Sequence, residues 1–218
     1  MNQPENTSPE KKAIILFLKR PIAGKVKTRL AQTTGAEKAL RIYESLVHLT
    51  IDAASRSGAD VFAFMHEAGP TGFLFPARFK VKVQQGANLG ERMAHAFQEV
   101  FALGYEQLII IGSDCPQMSP EVLKEAFRYL TAAPVVIGPA ADGGYYLLGM
   151  RGYVPGIFGL KQWSHSGVFA ETQQILQQKR MGYALLPELS DLDTEADYRR
   201  LKRYLSDLRE VSEKKAGQ

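Results

Sequence analysis

Between Lys19 and Arg29 the chain gathers five cations, Lys19, Arg20, Lys25, Lys27 and Arg29, around Pro21 and Gly24. A loop of this composition suits an anion. Gly24 lets backbone N–H groups come close to it. Lys19, Lys25 and Lys27 supply point charge, and Arg29 can grip two phosphate oxygens at once. The loop leads towards the start of a helix, where partial positive charge favours the same ligand. The string GKVKT lacks the glycine spacing of a Walker loop. A solvated basic loop would account for the cations with no ligand at all.

Three acidic stretches can answer those cations. In IIIGSDCP, Asp114 stands just past an apolar run, where a carboxylate can hold a hard divalent cation such as Mg²⁺ or Mn²⁺ against substrate phosphates. Taken by itself, the residue is better explained by an ordinary Asp-X-Pro turn. In GPAADGGYYLLG, Gly143 and Gly144 shape a tight loop that presents Asp142 beside Tyr145, and Asp142 can accept hydrogen bonds from sugar hydroxyls. The competing account is a β-hairpin, for which Asp-Gly is a favoured turn. In LSDLDTEADY, Asp191 and Asp193 are two residues apart and point the same way if extended. Asp193 can complete a metal site with Asp114, whereas Glu195 and Asp197 suit a helix N-terminus. Around QGANLGERM, Gln85 can read a base edge, Gly90 opens a helix, and Arg92 can reach phosphate. The four histidines, His48, His66, His95 and His165, lack metal-ligand spacing, and Trp163 can stack on a ring or simply fill the core. Cys115 has no histidine partner in sight and reads as a small buried thiol.

Positioning these residues needs strands that end where the loops begin. AIILFL, from Ala13 to Leu18, is short, apolar and closed by Pro and Gly, so it reads as a buried strand. Helical spacing follows from Ala36 through Tyr43, Leu46, Val47 and Ile51 to Ala54, with Gly58 as a stop. DVFAFMHE and the alternating FKVKVQQ read as strands, and Leu89 to Phe101 as an amphipathic helix. QLIIIG is the most apolar strand, and Ser119-Pro120 caps a helix reaching Leu130. PVVIGPA and GGYYLLGM follow as strands, the pair adding an antiparallel element. Val168–Lys179 is helical, GYALLP a late strand. Thr194 and Asp197 open a last helix whose core face is Tyr198, Leu201, Leu205 and Leu208. Strands and helices thus alternate, as in an α/β domain with a mostly parallel sheet. Such sheets bind ligands beyond the C-terminal ends of their strands, which would bring all four loops to one edge.

The whole composition sets bounds. With 218 residues, 45% of them apolar, the chain can bury a large core. One cysteine excludes an intrachain disulfide, and the net charge of +4 is mild and concentrated in the first loop. That argues against a nucleic-acid-binding face, which would spread its cations. The polar, partly acidic start and the shortness of the first apolar run argue against a signal peptide or membrane span, and so for a cytoplasmic protein. We expect one domain over 11–212, with flexible tails at 1–10 and 213–218.

The series FLKRPIAGKVKTRLA, NLGERM, IIGSDCP, GPAADGGYYLLG and DLDTEADY resembles a family of small bacterial transferases in the GT-A nucleotide-diphospho-sugar transferase superfamily. Its members are often called glycosyltransferases, some associated with arsenosugar biosynthesis. The match runs from about Ala13 to Leu208. The resemblance implies a Rossmann-like three-layer sandwich with a mixed, mostly parallel sheet and a bound divalent cation. By position it implies a phosphate loop at Gly24, Lys25, Lys27 and Arg29, metal carboxylates at Asp114 and Asp193, and a substrate loop at Asp142, Gly143 and Gly144. Some relatives carry an acid where this chain has Asn88. The expected activity is Mg²⁺- or Mn²⁺-dependent transfer from a nucleotide sugar to a small acceptor, with Lys27, Arg29 and Asp142 in catalytic roles. The close rival is nucleotidyl transfer, in which a nucleoside triphosphate joins a phosphorylated acceptor and pyrophosphate leaves. A non-catalytic nucleotide sensor ranks below both.

Overall fold

The computed structural model describes residues 11–160, 162–163 and 165–205. The expected tails and Leu208 lie outside the described residues. Within them run β1 (Lys12–Leu18), α1 (Thr28–Thr34), α2 (Ala36–Ser55), β2 (Asp60–Met65), β3 (Lys80–Val83), α3 (Leu89–Ala102) and β4 (Gln107–Ile111). Then come α4 (Pro120–Leu130), β5 (Val135–Pro139), β6 (Tyr145–Met150), α5 (Val168–Gln178), β7 (Tyr183–Leu185) and α6 (Glu195–Leu201).

One mixed sheet takes the strands in the order β3-β2-β1-β4-β6-β5-β7. β1 lies parallel to both β2 and β4, β2 to β3, and β5 to β7. Only β6 runs the other way, against β4 and β5, as the close spacing of the 134–150 strands led us to expect. Helices cover both faces, so the inner strands read as unbroken apolar runs. In β1, Ile14, Leu16 and Leu18 pack into the layer holding residues of α2 and α4, and Ala13 and Ile15 into the layer of α3. α1, α2 and α6 share a smaller cluster around Leu30, Leu46, Leu192 and Leu201.

Local chemistry fixes the helix starts. Asn88 Oδ1 accepts from Glu91 N–H at 3.0 Å to open α3, and Ser119 Oγ accepts from Val122 N–H at 3.3 Å to open α4 with Pro120 behind it. Thr194 and Asp197 form a reciprocal capping box on α6, as their spacing suggested. α1 was not foreseen. The KTRLAQTT segment turns helical before Gly35 interrupts it and α2 begins. In β3, Phe79 is buried just before the strand, but Val81 and Val83 are exposed. The strand is an edge, with no further neighbour to cover either valine.

Candidate functional site

The strand order reverses between β1 and β4: from β1 the chain moves outward to β2 and β3, then returns to the other side of β1. A cleft opens at such a switch point because the two flanking loops leave in opposite directions. The loops after β1 and β4 are the Lys19–Lys27 segment and the Gly112–Ser119 segment. Antiparallel β6 begins at this same edge, which brings the hairpin at 140–144 alongside.

The basic loop is tied down at both ends. Tyr43, on the core-facing side of α2, accepts from Lys19 N–H and donates to Lys19 C=O, each at 2.9 Å. Burial raises the phenol pKa to about 12, so it remains an O–H donor. Lys25 N–H closes a turn onto Ile22 C=O at 3.0 Å, and Val26, 2% exposed, plugs the loop into the core. Lys27 then takes left-handed backbone angles, φ 47° and ψ 44°. Its side chain is 4% exposed, and the ammonium lies 2.5 Å from Asp114 Oδ1 and 3.0 Å from Asp193 Oδ1. Burial alone would lower its pKa, but the charges and hydrogen bonds of Asp114 and Asp193 outweigh that and raise it. The lysine is therefore charged. Arg29 Nη1 approaches Asp193 Oδ2 at 3.6 Å, while Lys19, Gly24, Lys25 and Arg29 itself are exposed.

The acidic loops are stitched to one another by backbone. Leu192, fully buried, donates its N–H to Asp114 C=O at 2.9 Å, and Ser190 N–H donates to Gln117 Oε1 at 3.1 Å. Asp191 and Asp193 flank that buried leucine. Asp191 is partly buried, and its pKa is raised to about 7, first by burial and then by the charge of Asp114. Asp142 and Asp193 push the same way and Lys27 opposes them. Asp191 thus feels the other three aspartates across this edge. Asp142 Oδ1 accepts from Gly144 N–H at 2.9 Å, and the turn is closed by Gly143 N–H on Ala140 C=O and Ala140 N–H on Gly144 C=O, each at 3.0 Å. The hairpin account of the glycines is therefore right, and the turn still places Asp142 at the site edge. Gly143, φ +89°, sits so close to Ser166 that a Cβ would lie 2.0 Å from its carbonyl oxygen. Tyr145 is turned inward, with its hydroxyl 3.9 Å from Met93 Sδ. Cys115 is buried, and burial lifts its thiol to about 12, which removes it as a nucleophile.

A second group lines the neighbouring strand ends. Gln85 is exposed. Gly90 is buried under Trp163, where a Cβ would meet the indole Nε1 at 2.5 Å. Arg92 is held by two contacts, Nε to Gly86 C=O at 3.0 Å and Nη1 to His66 Nδ1 at 2.5 Å. The charges of Arg92 and Lys19 both reach His66, which places this group at the foot of the basic loop. Tyr43 and His66 had not stood out in the sequence, since one reads as a core residue and the other as an unpaired histidine. An open groove lies at the opposite sheet edge, among Lys11, Lys12, Asp60, Lys80 and Tyr105. There Lys80 is engaged by Tyr105 at 3.0 Å and Tyr105 by Asp60, and no loop of the switch point contributes.

No helix among the described residues is long and apolar enough to cross a membrane. Among curated proteins there is no match. Solved structures do match. A protein of Desulfovibrio desulfuricans G20, provisionally named a nucleotide-diphospho-sugar transferase, is 31% identical, with 93% of this chain and 96% of that one covered and a TM-score of 0.82. A nucleotidyl transferase from Methanothermobacter thermautotroptrophicus is 15% identical, with 92% and 100% covered and a TM-score of 0.61. Rv0371c from Mycobacterium tuberculosis H37Rv, solved in complex with manganese, is 18% identical, with 88% and 97% covered and a TM-score of 0.53. The last two are likenesses of fold. All three agree with the expected α/β sandwich, and the name of the first agrees with the class of activity expected. Residues 49–165, more than half of the chain, match a family pattern; by that match and the 31% identity, the chain belongs to the family described as "Uncharacterized protein conserved in bacteria (DUF2064)".

Proposed function

We propose that this protein is a divalent-metal-dependent transferase acting on a nucleotide-activated sugar. One observation carries the reading: at the switch point, the Lys19–Lys27 loop and the Asp114 and Asp193 loops meet through a shared ammonium. Phosphate-binding charge and metal-binding oxygen side by side are what a metal–diphosphate group requires. The 31% identical relative bears a name of the same chemistry.

Asp114 and Asp193 fit Mg²⁺ or Mn²⁺, because both are hard oxygen donors and the Lys27 ammonium already marks a point of positive charge between them. No group of three or more His, Cys, Asp or Glu is assembled for a metal among the described residues. Phosphate oxygens and water would supply the other ligands, as is common for Mg²⁺. When bound, such an ion neutralises charge on a leaving diphosphate. The protein's own part is electrostatic. Lys25, Lys27 and Arg29 stabilise the negative charge that grows on the phosphates as the bond to the sugar breaks. Asp142, fixed by the Gly143–Gly144 turn, orients the sugar or the acceptor. Gln85 and Arg92 border the place where the nucleoside would lie.

Nucleotidyl transfer is the second reading, favoured by the number of exposed cations on the loop, which suits a triphosphate. The products separate the two. With Mn²⁺ and a panel of nucleotide sugars, release of nucleoside diphosphate is expected. Pyrophosphate release from a nucleoside triphosphate and a sugar phosphate would transfer the assignment to the second reading. Asp114→Ala should remove Mn²⁺-dependent nucleotide binding, read as a lost thermal shift. Neither product, with unchanged binding by Asp114→Ala, would sink both readings.

A further inference from the structure

Lys27 has two claims on it. The proposed chemistry wants its ammonium on phosphate, and the structure gives it to Asp114 and Asp193. Its side chain is 4% exposed, whereas the two carboxylates are 49% and 38% exposed. Solvent thus reaches the acids while the lysine fills the space behind them. The second oxygen of Asp193 is faced by Arg29 at 3.6 Å. Two carboxylates therefore already share two cationic side chains. The backbone supports the arrangement: Lys27 sits at the N-cap of α1 in a left-handed conformation that a β-carbon disfavours, and its side chain makes no capping bond. The residue is committed to the acids at the cost of its local geometry.

A divalent cation takes carboxylate oxygens at about 2.1 Å. Added to this pair with Lys27 and Arg29 still in place, it would set four positive charges against the two carboxylates that hold it. Lys27 must leave for such an ion to be held. An ammonium this buried needs a new anionic partner, and a phosphate chain lying along the basic loop would be that partner.

We propose that Lys27 weakens the hold of the Asp114–Asp193 pair on a free divalent cation and favours one that arrives with a phosphate chain, which receives the displaced ammonium. The substrate is then the metal–nucleotide complex, rather than a nucleotide arriving at a metal-loaded site. This rests on the metal-dependent reading above. By linkage, metal and phosphate raise each other's affinity through the one lysine, and by the same factor.

The test is binding of Mn²⁺ alone, followed by the electron paramagnetic resonance signal of the free ion. Lys27→Met should bind Mn²⁺ about tenfold more tightly than the wild type, a usual size for coupling between sites. Adding Asp114→Asn to that variant should remove the gain. Equal or weaker binding by Lys27→Met overturns the proposal and, if the wild type binds well, leaves the metal reading standing. No binding of free Mn²⁺ by either protein overturns the proposal, and the metal reading falls with it only if Mn²⁺ also fails to bind in the presence of a nucleoside diphosphate. Because Lys27→Met takes the cation from Asp114 and can impair folding, the wild type supplies a second measurement. Reductive methylation of Lys27, counted by mass spectrometry against exposed Lys25, should speed up several-fold once Mn²⁺ is saturating. Unchanged Lys27 labelling in the Mn²⁺-loaded protein would show that the ammonium never leaves, and overturns the proposal.

Discussion

A single lysine does the most to relate this sequence to its chemistry. From the sequence, Lys27 was one of several cations on a basic loop, and Asp114 and Asp193 were two carboxylates far away in the chain. Their meeting depends on Val26 and Leu192, two apolar residues that anchor the loops in the core and leave the charged neighbours nowhere else to go. His66 shows the same principle with a measurable consequence. Burial first, then the charges of Arg92 and Lys19, lower its pKa below 6.5. An unfolded chain therefore takes up a proton at this ring before the folded one does. The stability gained from the neutral ring is complete above 6.5 and is lost as pH falls through that value towards the folded pKa. A proton NMR titration should place His66 below 6.5, and Arg92→Met should move it upward. An unmoved titration in the variant would show that the guanidinium is not felt. Nothing in the sequence pointed to this pair, because His66 follows β2 and Arg92 lies in α3, and the contact exists only once those elements are placed.

Elements were far more legible than their contacts. The apolar run of β4, the helical spacing of α2 and the caps of α4 and α6 are local facts, and local facts survive folding when packing agrees with them. α1 escaped notice because a seven-residue helix has no room for a periodic pattern, and because it follows a residue with left-handed angles. The burial of β3 was not readable either, since an alternating strand can be inner or edge and only the sheet order decides. The capping box of α6 matters beyond its own helix. Asp197 Oδ2 accepts from Thr194 N–H at 2.9 Å and from Asp193 N–H at 3.3 Å, so the cap also holds the backbone of the residue that pairs with Lys27. Thr194→Ala should cost about 1 kcal/mol in urea unfolding, and Thr194→Ser, which keeps the hydroxyl, should restore most of it. If the two variants unfold alike, the hydroxyl is not the source of the effect.

At the scale of the whole molecule, the sheet order explains both the site and its weak flank. Reversal at β1 and β4 assembles the charged loops in the middle of the sheet, where the most deeply buried strands hold them steady. The same order leaves β3 and β7 as edges. β7 has three residues and offers little to a passing strand, but β3 is flanked on one side only and leaves Val81 46% and Val83 41% exposed. An open edge with uncovered valines invites pairing with another copy unless charge prevents it. Lys82 is that charge, held at the strand by Glu99 at 2.9 Å. Replacing it by valine would join Val81 to Val83 in an unbroken β-branched run. Lys82→Val should therefore associate with rising concentration, measured by light scattering after size exclusion, while Lys82→Arg behaves like the wild type. The site lies at β1 and β4 in the middle of the order, with β2 between it and β3, so the variant should keep the proposed Mn²⁺ and nucleotide binding at low concentration. A Lys82→Val protein that stays as dispersed as the wild type would mean that the twist of the edge, rather than the lysine, keeps copies apart.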